Sequence, residues 1–370
     1  MTTSAPINII DAFCEEMRRI VSCYREHYSA AMPTEVCVAT SGGSDSMSLL
    51  IMSMEWARRN GVQVSCVTVD HKLRKESTTE AEFVKKFCLL NRIEHTVLSW
   101  HRNDIKPLMN GKIENLAREA RYQLISQFCE EKKIPFVLVG HTWDDQLETF
   151  EIRKNAGSSW IGLACMSQIR SLSSSITLLR PLLHFRRNHL KKFLSGQNIV
   201  WLTDPMNDQE CFLRVAYRKR ISSYSSNRIT SISNKILEYG KMRNRIEKSA
   251  VRFLDESCKI LPSGYAMIRE DCLHLEEKTV QIEVLRRVIW SIGGKKYATA
   301  IKSEILDNIL SGKINTLGRC LLKIKKGIIY ISRENREKSQ LSLPERNHKI
   351  AFEDSSLIFL DKIHLCDVFL

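Results

Sequence analysis

Short apolar runs alternate with longer segments of helical periodicity along the first half of the chain. The runs are rich in β-branched residues and have the length of strands, whereas the segments between them space apolar residues as an amphipathic helix does. Since the runs are almost wholly apolar, helices are expected to cover both faces of the sheet. The predicted strands are Glu35–Thr40, Val62–Val69, His95–Ser99 and Pro135–Val139, and the predicted helices cover 7–28, 46–59, 77–91, 113–131 and 142–154. This order predicts an α/β fold with a doubly wound parallel sheet.

The pattern changes near Arg214. The stretch 214–248 contains ten Lys or Arg and only two acids, and the Ser-rich piece Ile221–Ser233 within it interrupts apolar periodicity. We interpret the stretch as a helical basic linker or arm. Mixed helical and strand patterns follow, with a hairpin predicted to turn at Lys326–Gly327. The predicted domains are a doubly wound domain at 1–213, the basic arm at 214–250, a smaller α+β domain at 251–335 and a C-terminal tail at 336–370.

The net charge indicates which kinds of partner the protein binds, and the cysteines indicate its cellular compartment. Lys and Arg number 56 against 42 Asp and Glu, a net charge of +14 that favours an anionic partner such as nucleic acid, a phosphorylated substrate or a membrane surface. The 12 cysteines form no C-x-x-C pair, which predicts reduced and mostly buried thiols. No stretch approaches the ~18 apolar residues of a membrane helix, and no secretory signal is evident. We therefore expect a cytoplasmic protein.

The most specific motif follows the first predicted strand and opens a helix; its residues are Ser41, Gly42, Gly43, Ser44, Asp45 and Ser46. Adjacent glycines let backbone N–H groups approach an anion, and the helix dipole favours a negative charge at that end. The carboxylate of Asp45 fits such a cradle if Mg²⁺ bridges it to a phosphate. A missing lysine and a missing third glycine argue against kinase, GTPase and NAD sites. The motif predicts a magnesium–nucleotide site, although a capped strand-to-helix turn would look similar.

Three further polar clusters lie at strand ends or on single helix faces. In chain order they are Asp70, His71 and Arg74; Asn115, Arg118, Arg121 and Tyr122; and His141, Asp144, Asp145 and Glu148. Open α/β sheets bind ligands at the carboxyl ends of their strands, so we expect these clusters to converge with the glycine motif. The three carboxylates of the last cluster repel each other unless a cation lies among them, either Mg²⁺ or a substrate amine. Each cluster also has a purely structural interpretation as a loop contact, a solvated helix face or acids favoured by the helix dipole.

These motifs together resemble those of the PP-loop ATP pyrophosphatase superfamily and, within it, of the tRNA(Ile)-lysidine synthase family. The segments that carry the resemblance are Ser41–Ser46, Val69–Arg74, Asn115–Tyr122 and Gly140–Thr149. The chain departs from the family pattern at Ser159, Met206 and Val215. The resemblance implies a PP-loop domain, ATP and Mg²⁺ as cofactors, and tRNA(Ile) with a CAU anticodon and free L-lysine as substrates.

The implied reaction has two steps. ATP adenylates the oxygen on carbon-2 of the wobble cytidine and releases pyrophosphate; the ε-amine of lysine then attacks that carbon and expels AMP, which leaves lysidine. Residues 41–46, with Arg74 and Arg118, would bind the nucleotide, and Asp45 would hold the metal. The implied catalytic set is Asp45, Asp70, His71, Arg118 and Asp145. The implied substrate-binding set is Asn115, Arg121, Asp144, Asp145, Glu148, Arg214 and Arg218.

Two other functions stay open at this point. A tRNA thiolation enzyme of the same superfamily would share the phosphate motif but needs cysteines, and no C-x-x-C is present. A non-catalytic RNA-binding protein on a decayed nucleotide fold is expected to have lost Asp45 or the acidic helix, and both are retained. The sequence leaves the oligomeric state undecided, a homodimer included.

Overall fold

The computed structural model describes residues 8–28, 31–70, 72, 76–100, 110–173, 175–203, 213–261, 264–294 and 301–334. The chain forms two compact units, the first ending at Lys241 and the second beginning at Met242. This division falls inside one helix. The predicted domain limits at 213 and 250 stay predictions.

The first unit is built around a six-stranded sheet. Its helices are α1 (Ile9–Tyr28), α2 (Ser44–Asn60), α3 (Glu76–Leu90), α4 (Asn110–Lys132), α5 (Trp143–Asn155), α6 (Trp160–Leu163), α7 (Arg187–Gly196), α8 (Leu213–Ser222) and the first part of α9 (Ser226–Ser257). Its strands are β1 (Glu35–Ala39), β2 (Gln63–Asp70), β3 (Glu94–Ser99), β4 (Phe136–Val139), β5 (Ile169–Ser171) and β6 (Thr177–Leu179). The strand order is β3-β2-β1-β4-β6-β5, and only β5 runs antiparallel to its neighbour.

The predicted α/β fold is confirmed, with one refinement at the sheet edge. All four predicted strands and five predicted helices are present, displaced by no more than a few residues at their ends. Strands β5 and β6 were not predicted, because three residues are too few to show an alternating pattern. Since β5 is antiparallel, the sheet is mixed rather than purely parallel.

Both faces of the central strand are buried. Cys37 of β1 packs with Ile125 and Cys129 of α4, and it is fully buried. Its neighbours Val36 and Val38 point to the opposite face and are also fully buried, because side chains alternate along a strand. Of the ten cysteines in the described ranges, seven are buried and all are free, as the sequence predicted.

The segment 214–248 lies in α8 and the first part of α9. Its Ser-rich piece breaks the helical conformation only over 223–225, between the two helices. Ile232 and Ile236 of α9 are buried against Leu147 and Phe150 of α5, so an apolar face persists between the serines. Of the helices in the described ranges, none combines the length and apolarity that crossing a bilayer requires.

The second unit packs helices on a five-stranded antiparallel sheet. Besides the end of α9 it contains α10 (Glu270–Leu275), α11 (Lys278–Gly293), α12 (Ser303–Leu310), β7 (Cys258–Ile260), β8 (Tyr265–Arg269), β9 (Thr316–Leu317), β10 (Cys320–Lys325) and β11 (Ile328–Arg333), with strand order β7-β8-β11-β10-β9. The predicted hairpin is confirmed as β10 and β11. Its turn residues Lys326 and Gly327 have φ of +52° and +72°, the backbone sign that a type I′ hairpin turn requires.

Candidate active site

A cavity of about 770 Å³ lies at the carboxyl ends of β1, β2 and β4, all within the first unit. The start of α2, the start of α5 and the start of α7 contribute to its wall, together with one face of α4 and of α8. The predicted site residues that line it are Ser41, Gly43, Ser44, Asp45, Ser46, Arg121, Asp144, Asp145 and Arg218, with the singled-out Tyr122 and His141. The glycine motif, part of the α4 cluster and part of the α5 cluster therefore share one crevice, whereas Asp70 of the remaining cluster does not line it.

The glycine motif forms the turn from β1 into α2. Gly42 has a φ of +83°, and a Cβ at this position would lie 2.6 Å from Leu202 Cδ1, so the turn has no room for a side chain. The backbone N–H of Leu202 donates to the Gly42 carbonyl at 2.9 Å, and this hydrogen bond fixes the turn to the segment around Leu202. No side chain caps α2 at its N-cap residue Gly43. Because the first N–H groups of a helix lack partners within it, this turn offers donors to an anion.

Serine hydroxyls hold the turn from inside. The Ser46 hydroxyl donates to the Gly43 carbonyl at 3.0 Å, and the Ser41 N–H donates to the Ser46 Oγ at 3.2 Å. On the other side, Gly140 at the end of β4 approaches so closely that an added Cβ would lie 3.1 Å from the carbonyl carbon of Asp45. The turn is thus a preformed cradle rather than an open loop.

Arg187, the first residue of α7, lies among three carboxylates. Its Nε is 2.8 Å from Asp45 Oδ2, one terminal nitrogen is 3.0 Å from Asp145 Oδ1, and the other is 3.5 Å from Glu148 Oε1. Its backbone N–H also donates to Asp144 Oδ2 at 2.7 Å. The sequence predicted a cation among these acids, and considered only Mg²⁺ or a substrate amine. That choice was incomplete, because the structure supplies a guanidinium from the chain itself.

Asp145 has two separate tasks. Its Oδ2 accepts from the Thr142 N–H at 2.7 Å and from the Thr142 hydroxyl at 2.9 Å, which closes the capping box of α5. Its Oδ1 is left for Arg187. Burial raises the pKa of Asp145, but the charge of Arg187 and the Thr142 hydrogen bonds outweigh it, so the net shift is downward. The Oδ2 atom of Asp145 therefore has a structural role in capping α5, as the purely structural interpretation of this cluster allowed.

Unlike Asp145, both Glu148 and Asp45 have raised pKa values although they contact the same arginine. The side chain of Glu148 is 3% exposed; its Oε1 accepts from Arg218 Nε at 3.0 Å, while its buried Oε2 has no hydrogen-bond partner within the described residues. Burial, with the charge of Asp145, raises the pKa of Glu148. Burial likewise raises the pKa of Asp45 despite the contact with Arg187. The crevice thus holds more negative charge than its arginines fully compensate.

His141 contributes a neutral group to the same wall. Burial, with the charge of Arg180, lowers the pKa of its imidazole to about 3, so the ring is uncharged at pH 7. Its buried Nδ1 has no hydrogen-bond partner among the described residues. A neutral ring of this kind can bind a polar ligand atom without adding charge.

The remaining predicted site residues, Gly42 and Glu148 included, either do not line the cavity or are not described by the structure. Arg118 places its guanidinium 5.3 Å from the ring centre of Tyr122, and Tyr122 lines the cavity. Asp70, at the end of β2, is 5% exposed and accepts from the Lys72 N–H at 2.8 Å. The cavity wall does not include Arg118, Asp70 or Arg214. Asn115 lies in α4, whereas His71 and Arg74 lie outside the described residues.

Arg187 is the residue that the sequence analysis missed. A signal was present, because Arg186 and Arg187 form a basic pair at the start of a short helix that follows the Leu179–Leu182 segment. No local pattern predicts that this arginine contacts acids that lie 39 to 142 residues away in sequence. Only the pairing of β4 with β6 brings α7 beside α5.

The residues present fit a nucleotide-bound magnesium ion rather than a metal held by protein alone. Within the described ranges there is no group of three or more His, Cys, Asp or Glu placed to hold a metal. Magnesium usually takes one or two carboxylates and completes its octahedron with phosphate oxygens and water. Asp45 supplies one such carboxylate directly beside the phosphate cradle.

Comparison with known proteins agrees with this geometry. The family model described as a PP-loop domain matches residues 16–224. The chain is 30% identical over 318 residues to the tRNA(Ile)-lysidine synthase of Wolbachia pipientis wMel, covering 83% of this chain and 72% of that protein. It is 27% identical over 342 residues to the tRNA(Ile)-lysidine synthase of Orientia tsutsugamushi (strain Boryong), covering 89% and 74%.

Among solved structures, the U34-tRNA thiolase NcsA from Methanococcus maripaludis with its [4Fe-4S] cluster aligns at a TM-score of 0.49 and 17% identity, over 63% of this chain and 80% of that one. This last likeness concerns the course of the backbone only. The family match and the Wolbachia relative are the decisive findings, and they show that the chain belongs to the tRNA(Ile)-lysidine synthase family of PP-loop proteins.

Proposed function

We propose that this chain uses ATP to ligate L-lysine to carbon-2 of the wobble cytidine of tRNA(Ile) with a CAU anticodon. The cytidine oxygen is adenylated first with release of pyrophosphate, and the lysine ε-amine then displaces AMP. One observation carries the proposal. In a chain with relatives named tRNA(Ile)-lysidine synthase, the uncapped start of α2 opens into the same cavity as the acids of α5.

The glycine cradle is the proposed site of the ATP phosphates. Membership of the PP-loop family implies ATP as the nucleotide. The first N–H groups of α2 would bind phosphate oxygens, and Asp45 would hold Mg²⁺ beside them. When bound, the ion neutralises charge on the phosphates and on the departing pyrophosphate. Apolar side chains on the opposite wall, Val67, Val69, Ile125 and Val139, suit a flat aromatic base.

The acids of α5 are the proposed site of the lysine ammonium. Asp144 and Asp145 line the cavity, and the Oε2 of Glu148 is a buried acceptor that has no donor within the described residues. An ammonium group carries three donors and would meet this unused acceptor. The amine must lose a proton before it attacks. The raised pKa of Glu148 makes its carboxylate a stronger proton acceptor for that step.

The exposed basic side chains of α8 are the proposed contact for tRNA. Arg218 and Lys219 lie at the cavity wall, and Arg214, Lys219 and Arg220 are exposed. Contacts of this kind bind phosphates and set position, while base contacts set specificity. Arg118 stacked beside Tyr122 forms a flat cationic surface of the type that receives an unstacked base.

Thiolation has no support in the crevice itself. Sulfur transfer needs a thiol or a cluster near the adenylated base, and no cysteine lines the cavity in the part of the chain that the structure describes. The oligomeric state stays undecided.

Transfer of radiolabelled lysine tests the proposal. The chain is incubated with ATP, Mg²⁺, labelled L-lysine and a tRNA(Ile) transcript with a CAU anticodon. Label is expected to enter the RNA with one AMP and one pyrophosphate released per lysine. The matched control is the same transcript with the wobble cytidine changed to guanosine, which should stay unlabelled. Equal labelling of both transcripts, or labelling without ATP, would overturn the proposal.

A further inference from the structure

Arg187 is the group in the crevice whose contacts the proposed reaction does not yet explain. Its side chain is 17% exposed, and the three carboxylates that it contacts are 20%, 12% and 3% exposed for Asp45, Asp145 and Glu148. A partly buried guanidinium shared by three acids is an expensive arrangement, since desolvation offsets much of the attraction. It therefore calls for a role beyond holding two helices together.

The attachment of α7 does not depend on this guanidinium. The backbone N–H of Arg187 donates to Asp144 Oδ2 at 2.7 Å, and that hydrogen bond persists whatever side chain stands at 187. Further along α7, Leu190 and Leu194 are fully buried, and the Leu190 carbonyl accepts from the Ser48 hydroxyl of α2 at 3.4 Å. Backbone and apolar contacts thus anchor the helix.

The guanidinium lies directly beside the phosphate cradle. Arg187 lines the cavity with Ser41 and Gly43–Ser46, and its Nε contacts Asp45, which belongs to the cradle itself. Asn188 and Lys191 line the same wall, so the start of α7 presents donors along the side of the cradle. A phosphate on the α2 amides would therefore be near the guanidinium, whose planar fork matches phosphate oxygens.

We propose that Arg187 occupies the cation position beside Asp45 before ATP binds, and then binds a phosphate of ATP as Asp45 is released to Mg²⁺. The inference rests on the proposed function, of which it names an additional ATP-binding residue. It has a simple consequence. Mg²⁺ should bind to the crevice only together with the nucleotide, because without nucleotide its carboxylate is already paired.

The charges of the acids agree with such an exchange. Without the guanidinium, Asp45, Asp145 and Glu148 would lose a positive partner that all three share. When ATP binds, the Arg187 guanidinium would exchange the Asp45 carboxylate for a phosphate group. It would therefore keep a negatively charged partner throughout.

Two binding measurements on the full chain test the proposal. The first follows Mn²⁺, a spectroscopic substitute for Mg²⁺, by electron paramagnetic resonance without nucleotide. Wild type should show no tight Mn²⁺ site until ATP is added. The second measures ATP affinity with EDTA present, and Arg187→Met should lose about ten-fold or more, as expected for charge-assisted hydrogen bonds to phosphate. Arg187→Lys keeps the positive charge but loses the planar guanidinium. Its ATP affinity should therefore lie between those of wild type and Arg187→Met.

Arg186→Met is the matched control. Arg186 precedes Arg187 and is 3.4 Å from Asp144 Oδ1, but its side chain is 38% exposed. This variant should match wild type in both measurements, and circular dichroism should show that all variants are folded. Unchanged ATP affinity in a folded Arg187→Met, or a tight Mn²⁺ site in nucleotide-free wild type, would overturn the proposal. A protein that binds ATP through Arg187 yet transfers no lysine would support this proposal and overturn the proposed function.

Discussion

Each of the two units contains a buried arginine held by carboxylates, and the two clusters differ in what surrounds them. Arg287 of α11 is 1% exposed; its Nε contacts Glu283 Oε1 at 2.7 Å, and one terminal nitrogen is 4.0 Å from Glu247 Oε1. Arg187 is 17% exposed and borders a cavity. The charge chemistry is the same, but only Arg187 has a space beside it that a ligand could fill.

The response of the acids separates the two clusters further. Burial raises the pKa of Glu283, but Arg286 and Arg287 outweigh it and the net shift is downward, so this acid is well compensated. In the crevice the pKa values diverge, with Asp145 lowered and both Asp45 and Glu148 raised. Acids with divergent pKa values beside a cavity are typical of a functional site, whereas the Arg287 cluster is buried and does not border the cavity. Burial of charge alone would not have distinguished them.

The largest expected effect is on stability in the second unit. Arg287→Met leaves Glu247 and Glu283 buried without this partner, and breaking such a pair costs about 3 to 5 kcal/mol of unfolding free energy. Chemical denaturation should show this loss, while ATP affinity of the folded protein stays unchanged. Arg187→Met should lose less than half as much stability. Equal destabilisation by the two changes would remove the distinction between the clusters.

The next effect is on catalysis in the crevice. Asp45→Asn keeps the shape of the side chain but loses the charge proposed to hold Mg²⁺, and kcat/KM for lysine transfer should fall about 100-fold, or about 2.7 kcal/mol. Asp11→Asn is the control, since Asp11 is a surface acid of the same unit paired with Arg59 at 2.7 Å. Lysine transfer by Asp45→Asn at the wild-type rate would contradict the metal assignment.

A smaller effect is expected from the backbone of the cradle. Gly42→Ala combines the strain of a φ of +83° with a distance of 2.6 Å to the end of the Leu202 side chain, so the turn or that side chain must shift, and ATP affinity should fall about ten-fold, or about 1.4 kcal/mol. Gly61→Ala is matched to it, with a φ of +66° and no atom within 4 Å of the added Cβ. That control should cost about 1 to 2 kcal/mol of stability and leave ATP affinity unchanged. If both variants lose ATP affinity equally, strain alone explains the result.

The smallest effect is expected at the exposed face of α8. Charge reversal of Lys219 and Arg220 together should weaken tRNA binding a few-fold and reduce the slope of log affinity against log salt by about 1 for each phosphate that the protein no longer neutralises. Adding Arg218→Glu should also disturb Glu148, which Arg218 approaches to 3.0 Å, and should lower lysine transfer as well. Salt-independent binding in wild type would rule out this face as a phosphate-binding surface.

Local sequence was sufficient for the regular elements and for the cradle. The apolar runs located β1 to β4, and the glycine pair with its following helix located the turn, because both depend on neighbours in sequence. Strands β5 and β6 were too short for any periodicity to show. The Ser-rich piece was expected to interrupt the apolar periodicity. Its isoleucines nevertheless keep helical spacing between the serines, and Ile232 and Ile236 pack on α5.

The charge balance of the site was beyond local reasoning. The sequence predicted three acids on one face of α5 and a cation among them. The identity of that cation depends on a contact between Asp45 and Arg187, which are 142 residues apart. Sheet order sets such contacts, and no periodicity encodes them. The free oxygen of Glu148 has the same origin, because it reflects which arginines reach the acid across the fold.

A crystal of the chain grown with Mg²⁺ and a non-hydrolysable ATP analogue tests the exchange at Asp45 most directly. We expect phosphate oxygens within hydrogen-bonding distance of the amides at Gly43 to Ser46, Mg²⁺ on Asp45, and the Arg187 guanidinium moved from that carboxylate to a phosphate. A triphosphate lodged elsewhere, or one bound in the turn while Arg187 still pairs with Asp45, would contradict this expectation.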